Sequence, residues 1–177
     1  MSNLRLINET TITSGVSTVN IENVFSADFD IYKITSNGIS TVGTSQTDPD
    51  LRFINSSGSL ILASDYDYAH QIMRADASFT EQKNTNEDEF YRFFGESVDQ
   101  APEENGQVSY IFNPFSSTSY TFALYQSMVA SATLKIAMKG IGVLTQTSSI
   151  TGFQVKDNVG SRPFAGGTIR VYGLAVN

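Results

Sequence analysis

The sequence predicts an all-β chain, an antiparallel β-sandwich that is jelly-roll-like. Charged residues make up only 16% of the chain, and Thr, Ser, Asn, Gly, Tyr and Phe are abundant in their place. Thr and aromatic side chains suit a pleated, half-buried surface, while Gly, Asn and Ser suit the turns between strands. Short runs alternate between apolar and polar residues and end at turn signals, and no long amphipathic helical pattern occurs. Parallel strands would need long, usually helical crossovers, so the pairing is expected to be antiparallel.

Ile7 to Ile12 and Val16 to Ile21 read as the first two strands, the second with alternation too loose to assign its faces. Phe25-Ser-Ala-Asp28 reads as a turn or a single helical turn, with Ser26 available as N-cap. In the strand Phe29 to Thr35, Phe29, Ile31 and Lys33 share one face and Asp30, Tyr32 and Ile34 the other, so both faces are partly apolar. Ser36-Asn37-Gly38 is expected to end it, since Asn-Gly is a strong turn signal. Leu51 to Asn55 and Leu60 to Ala63 flank Ser56-Ser57-Gly58-Ser59 as a hairpin. Another strand is expected from the acidic, aromatic stretch Asp65 to His70 through Ile72 and Met73.

Glu81 to Asn105 is the polar interval, with eight of the 18 acidic residues. It contains Pro102 and reads as a long excursion around 81–105, pinned by Phe90-Tyr91-Arg92-Phe93-Phe94. A loop of that length is usually functional or mobile. Val108 to Asn113 alternates and is closed by Pro114, which cannot donate a ladder hydrogen bond. Tyr120 to Val129 alternates in the same way. In Thr133 to Thr145, Leu134, Ile136 and Met138 oppose Lys135, Ala137 and Lys139, and Gly140 and Gly142 suggest a bulge or bend. Ile150 to Val155 and Thr168 to Val176 complete about nine strands, with a turn expected at Gly166-Gly167.

At 177 residues the chain fits one domain spanning 1–177, and folding at that size buries roughly 70% of the unfolded surface. There are no cysteines, which excludes disulfides and thiolate chemistry. No run approaches the ~20 apolar residues of a membrane helix, and the first residues lack the apolar stretch of a signal peptide. The net charge is -7 and the eleven basic residues are scattered. Phosphate neutralisation needs clustered Lys and Arg, so neither nucleic acid nor membrane is expected as a partner.

Chemistry is sparse. His70 is the one histidine, which rules out a two-histidine metal site within one chain, and no nucleophile-elbow motif accompanies it. It reads as a surface or interface residue. Asp65 with Asp67, and Asp28 with Asp30, are spaced to share a face if extended. They read as solvated acidic loops, with a calcium site or a glycosidase pair as the alternatives. Tyr66, Tyr68, Phe90, Tyr91, Phe93 and Phe94 are candidate surface contacts, able to stack on a sugar. A core or subunit-interface role is the favoured reading for them. No catalytic residue, metal ligand or cofactor is assigned.

Two stretches carry a resemblance. Val19 to Ile34, VNIENVFSADFDIYKI, leaves one strand, turns and enters the next; Gly167 to Leu174, GTIRVYGL, forms the final strand. Together they resemble small structural proteins of tailed bacteriophages, especially phages of marine bacteria and cyanobacteria. Those show a similar Asn-Val-Phe-Ser opening, an acidic or aromatic turn, and a terminal Val-Tyr-Gly strand. Leu51-Arg52-Phe53 and Ser64 to Tyr68 fit the same layout, whereas Asp30-Ile31-Tyr32 stands where such proteins commonly have Asp-Asn-Tyr. The resemblance implies a non-enzymatic virion subunit, on the capsid as decoration or on the tail. Such a subunit is made in the host bacterial cytoplasm, and its partners are copies of itself and neighbouring virion proteins. The alternatives are a tail-fibre module that binds a host surface glycan and, less favoured, a polysaccharide-degrading enzyme.

Overall fold

The computed structural model of the chain describes residues 3–44, 46–99, 104–131 and 135–175. Among these residues there are eleven strands and no helix. They are β1 (Leu4–Thr11), β2 (Thr18–Ile21), β3 (Ile31–Thr41), β4 (Pro49–Asn55), β5 (Tyr66–Arg74) and β6 (Thr80–Glu87). The remainder are β7 (Glu104–Phe112), β8 (Thr121–Ala130), β9 (Lys135–Leu144), β10 (Ile150–Asp157) and β11 (Phe164–Leu174).

An eight-stranded sheet of order β1-β11-β3-β7-β8-β9-β5-β6 faces a three-stranded sheet of order β2-β10-β4. Every ladder is antiparallel, as expected. The chain crosses repeatedly between the two layers, β1 to β2 to β3 to β4 to β5, and again β9 to β10 to β11, in the manner of a jelly roll. Residues turned into the gap form the core: Tyr32 and Ile34 on β3, Ile169 and Val171 on β11, Leu51 and Phe53 on β4, Phe153 and Val155 on β10.

The two sheets differ by five strands, which at ~4.8 Å per strand leaves roughly 24 Å of the large sheet's inner face uncovered. Residues 88–99, from the interval read as a polar excursion, fill much of that gap. Phe90 exchanges two backbone hydrogen bonds with Leu51, 2.9 and 3.1 Å, extending the small sheet by one bridge. Phe93 packs on Tyr125 of β8, ring centroids 4.8 Å apart, and Val98 bonds to the backbone of β3 at Ile39 and Thr41. The expected excursion is therefore an edge strand, β6, then a buried plug, then the start of β7. Pro102 lies outside the described residues.

Other expectations need correction. Asn37-Gly38 does not end β3, which continues to Thr41. Gly38 does take a left-handed conformation, φ 64°, opposite Gly167 at φ 133°. The β3–β11 register shifts on either side of Gly166, so both glycine pairs serve as bulges inside a ladder. Leu60 to Ala63 makes a single bridge to Ile54 rather than a strand. Gly140 and Gly142 do not bend β9, whose register with β5 and β8 is unbroken. They are gaps in the inner face filled by Tyr125 and Phe90. Thr133, Leu134 and Val176, expected in strands, lie outside the described residues.

The two stretches that carry the resemblance meet in space. Ala27-Asp28 is a turn, as expected, and the Ser26 hydroxyl accepts the Asp28 N–H at 3.2 Å. Tyr32 closes over it, its hydroxyl accepting the Ser26 N–H at 2.8 Å and donating to the Ser26 carbonyl at 3.0 Å. Phe29 stacks edge-on to Tyr32 and lies over Gly173, where any β-carbon would clash with the ring.

Candidate functional site

Of the six aromatic residues that are candidate surface contacts, with a core or interface role favoured, four are in the core. Tyr66, Phe90 and Phe93 are fully buried and Phe94 nearly so. The physical reason is the narrow small sheet: the space it leaves must be filled by large side chains. The Tyr66 hydroxyl is spoken for, accepting the Phe53 N–H at 2.9 Å and donating to the Ile61 carbonyl at 3.1 Å. Tyr68 and Tyr91 are half-buried, with ring centroids 6.4 Å apart. The Tyr91 hydroxyl donates to Asp48 at 2.9 Å. Burial, then the neighbouring Asp48 charge, push the Tyr91 phenol well above its usual range.

His70 is buried rather than exposed. Its Nδ1 lies 3.2 Å from the Tyr125 hydroxyl and its Nε2 3.0 Å from Gln82 Oε1, tying β5 to β8 and to the edge strand β6. Burial lowers its pKa, partly opposed by the Gln82 hydrogen bond. The acidic pairs do not form sites either. The Asp67 carboxylate accepts the Asn86 N–H at 2.9 Å. Asp65 precedes β5 with its carbonyl accepting the Thr145 N–H, and Asp28 and Asp30 are exposed on the β2–β3 connection.

A charged cluster that sequence reasoning missed lies where β4, β10 and residues 88–96 meet. Asp50 is completely buried. Its carboxylate accepts the Arg92 N–H at 2.8 Å and lies 3.3 Å from Lys156 Nζ, which also meets Glu89 at 2.6 Å. Arg52 pairs with Asp88 and, at 3.1 Å, with Glu89, while Arg92 pairs with Asp48 at 2.9 Å. Burial and then the Glu89 charge push Asp50 up to about 8. Two carboxyl groups with one raised pKa are what general acid chemistry needs. Here, however, both are held by cations on the strands. The cluster ties the plug to the small sheet. Its signal was cross-strand: Asp50 sits opposite Lys156 in the β4–β10 register.

The surface that stands out is the outer face of the large sheet. An antiparallel sheet with one face on the core ordinarily turns polar residues outward. Here the registers align Leu4, Leu174, Ile31, Phe112, Phe122 and Val143 into one row across six strands. The next row contains Leu6, Tyr172, Tyr110, Leu124, Ile141 and Ala69, broken by Lys33. Beyond a polar row with Gln126, Lys139 and Gln71 comes a third apolar one, Met128, Ala137 and Met73.

Exposure along these rows is high: Leu6 51%, Phe122 44%, Leu124 46%, Ile141 54% and Met128 69%. The pattern is not a by-product of a greasy strand. On β7 the larger apolar residues Val108, Tyr110 and Phe112 face outward, while Gln107 and Ser109 are buried. An apolar face of this extent is a candidate contact surface. Lys139 and Gln126 line one depression on it with Tyr110 and Leu124. Among the described residues, no group of three His, Asp or Glu is placed to hold a metal. Among the same residues, no helix is long and apolar enough to cross a membrane.

No family model and no curated protein matches the chain. Among solved structures it is similar to a xylan beta-1,4-xylosidase from Bacillus halodurans C-125, at 7% identity and TM-score 0.34, covering 92% of this chain and 32% of that one. It is similar also to a PL-14 alginate lyase from Aplysia kurodai, at 6% identity and TM-score 0.31, covering 91% and 81%. A structure of infectious bursal disease virus, Gt strain, aligns at 10% identity and TM-score 0.22, covering 98% and 37%. The chain thus spans about a third of the xylosidase's length, and likenesses this distant carry no argument about function.

Proposed function

We propose that this chain is a non-enzymatic structural subunit displayed on the exterior of a tailed bacteriophage particle, as capsid decoration or as a tail-associated protein. The observation that carries the reading is the apolar outer face of the eight-stranded sheet. Three apolar rows exposed to water are costly for an isolated domain and useful in an assembly, where a neighbour covers them. The rest of the surface chemistry is consistent with this. The titratable groups with the strongest perturbation, Asp50 and the buried tyrosines, are engaged in holding the sandwich together. The acidic net charge of -7 suits a solvent-facing shell rather than a nucleic-acid-facing one.

The glycan-binding alternative loses most of its contacts, since four of its six aromatic residues are in the core. Locating the chain decides the matter: purified particles analysed by mass spectrometry and cryo-electron microscopy should contain it as an outer density. Particles without it, or density on the inner, genome-facing side, would end the proposal.

A further inference from the structure

We infer that the outer face of the eight-stranded sheet is covered by a second copy of this chain, packed face to face about a two-fold axis. The inference deepens the reading above and rests on it in taking this face as an assembly contact. Two arguments select a second copy as the occupant.

The first is charge. Among the described residues, the face carries Lys33, Lys83, Lys135, Lys139 and Arg170. Against these five stand four acids, Glu9, Asp67, Glu81 and Glu104. The face is therefore within one charge of neutral, on a chain whose total is -7. Two acidic molecules repel wherever their acidic surfaces approach, and this face lets them meet without that cost. A strongly basic or acidic partner would find no complement here.

The second is area. Six strands at ~4.8 Å spacing and four outward rows ~6.8 Å apart span roughly 800 Å². A standard interface takes about 800 Å² from each partner. The face is thus large enough for a stable isologous dimer, in which the sheets stack about 10 Å apart with the apolar rows interleaved.

Sedimentation and light scattering on the recombinant full-length chain read this directly. The wild type is expected at twice the 19.3 kDa chain mass. Leu124→Lys and Ile141→Lys, both at exposed positions, should weaken self-association about 30-fold or more, with the circular dichroism spectrum unchanged and a melting temperature that no longer rises with protein concentration. Because the chain has no cysteine, Leu124→Cys and Ile141→Cys also report contact: a short bifunctional maleimide is expected to give covalently linked dimers, since sheets ~10 Å apart hold the thiols beyond direct disulfide reach. A wild type that stays monomeric at high micromolar concentration overturns the inference. So does a dimer that survives both lysine substitutions, or a particle map in which a different protein covers the face. The two readings fail separately, since a chain absent from particles but dimeric through this face removes the virion role and leaves the dimer standing.

Discussion

The ring of Tyr125 occupies the space that a side chain at Gly140 would need. A β-carbon at position 140 would fall 2.5 Å from the Tyr125 hydroxyl, well inside contact distance. The two residues are direct partners in the β8–β9 ladder, so neither strand can slide to relieve the clash. Gly140→Ala is expected to destabilise the fold by about 1–3 kcal/mol, the usual cost of overpacking a filled core. Urea unfolding monitored by tyrosine fluorescence would check it. Unchanged stability would mean that Tyr125 can move aside.

Tyr66 offers a test that separates core from ligand contact. Its hydroxyl bridges Phe53 and Ile61 within the core. Tyr66→Phe leaves a buried N–H and a buried carbonyl without that partner, and should cost about 1–3 kcal/mol. Binding of the chain to host cells, if any is detected, should be the same in wild type and variant, because the ring does not reach the surface. A selective loss of cell binding at full stability would restore Tyr66 as a contact residue.

The sandwich was legible in the sequence because period-two alternation is a local property, and β8 and β9 show it plainly. Which face of a strand points inward was less so. On β7 the apolar set Val108, Tyr110 and Phe112 points out and the mixed set Gln107, Ser109 and Ile111 points in. A strand that is apolar on both sides gives no local cue about which side a partner covers. The sequence of β3, with Ile31 and Ile34 on opposite faces, did carry the hint of a second contact surface. Asn37-Gly38 misled because a left-handed residue serves a bulge as well as a turn, and only the opposing Gly167 distinguishes them. Phe90 to Phe94 were hard to place for a different reason. Their burial follows from the width difference between the two sheets, and sheet order is a long-range fact.

Asp50 should make stability depend on pH in a definite direction. Its folded pKa is pushed up to about 8 from a usual value of 3.8, so between these values the folded state holds a proton that the unfolded state has lost. Stability from this group is fully present below about pH 4 and falls as pH rises toward 8, at no more than about 1.4 kcal/mol per pH unit. Asp50→Asn keeps an oxygen for the Arg92 N–H and removes the titration. Denaturant midpoints across this range should decline less steeply for the variant than for the wild type. Parallel profiles would show that Asp50 is ionised throughout.

His70 predicts the opposite slope in a narrower window. Burial lowers its pKa below the usual 6.5, so as pH falls below that value the unfolded chain takes up a proton that the folded chain refuses. Stability from this group is present above pH 6.5 and is lost as pH falls toward the folded pKa. The ring is faced by Tyr125 from β8, Gln82 from β6 and Tyr68 on its own strand, with the charges of Arg92 and Asp48 at longer range. None of the hydrogen-bonding partners is a carboxylate able to hold an imidazolium. Because Gln82 is its partner on the edge strand, charging His70 should loosen β6 first. Amide exchange in Thr80–Glu87 should therefore quicken between pH 7 and 5 beyond its intrinsic pH dependence, while β7 and β8 stay protected. His70→Gln should remove that pH sensitivity, and a wild-type β6 whose protection is constant over the same range would rule the mechanism out.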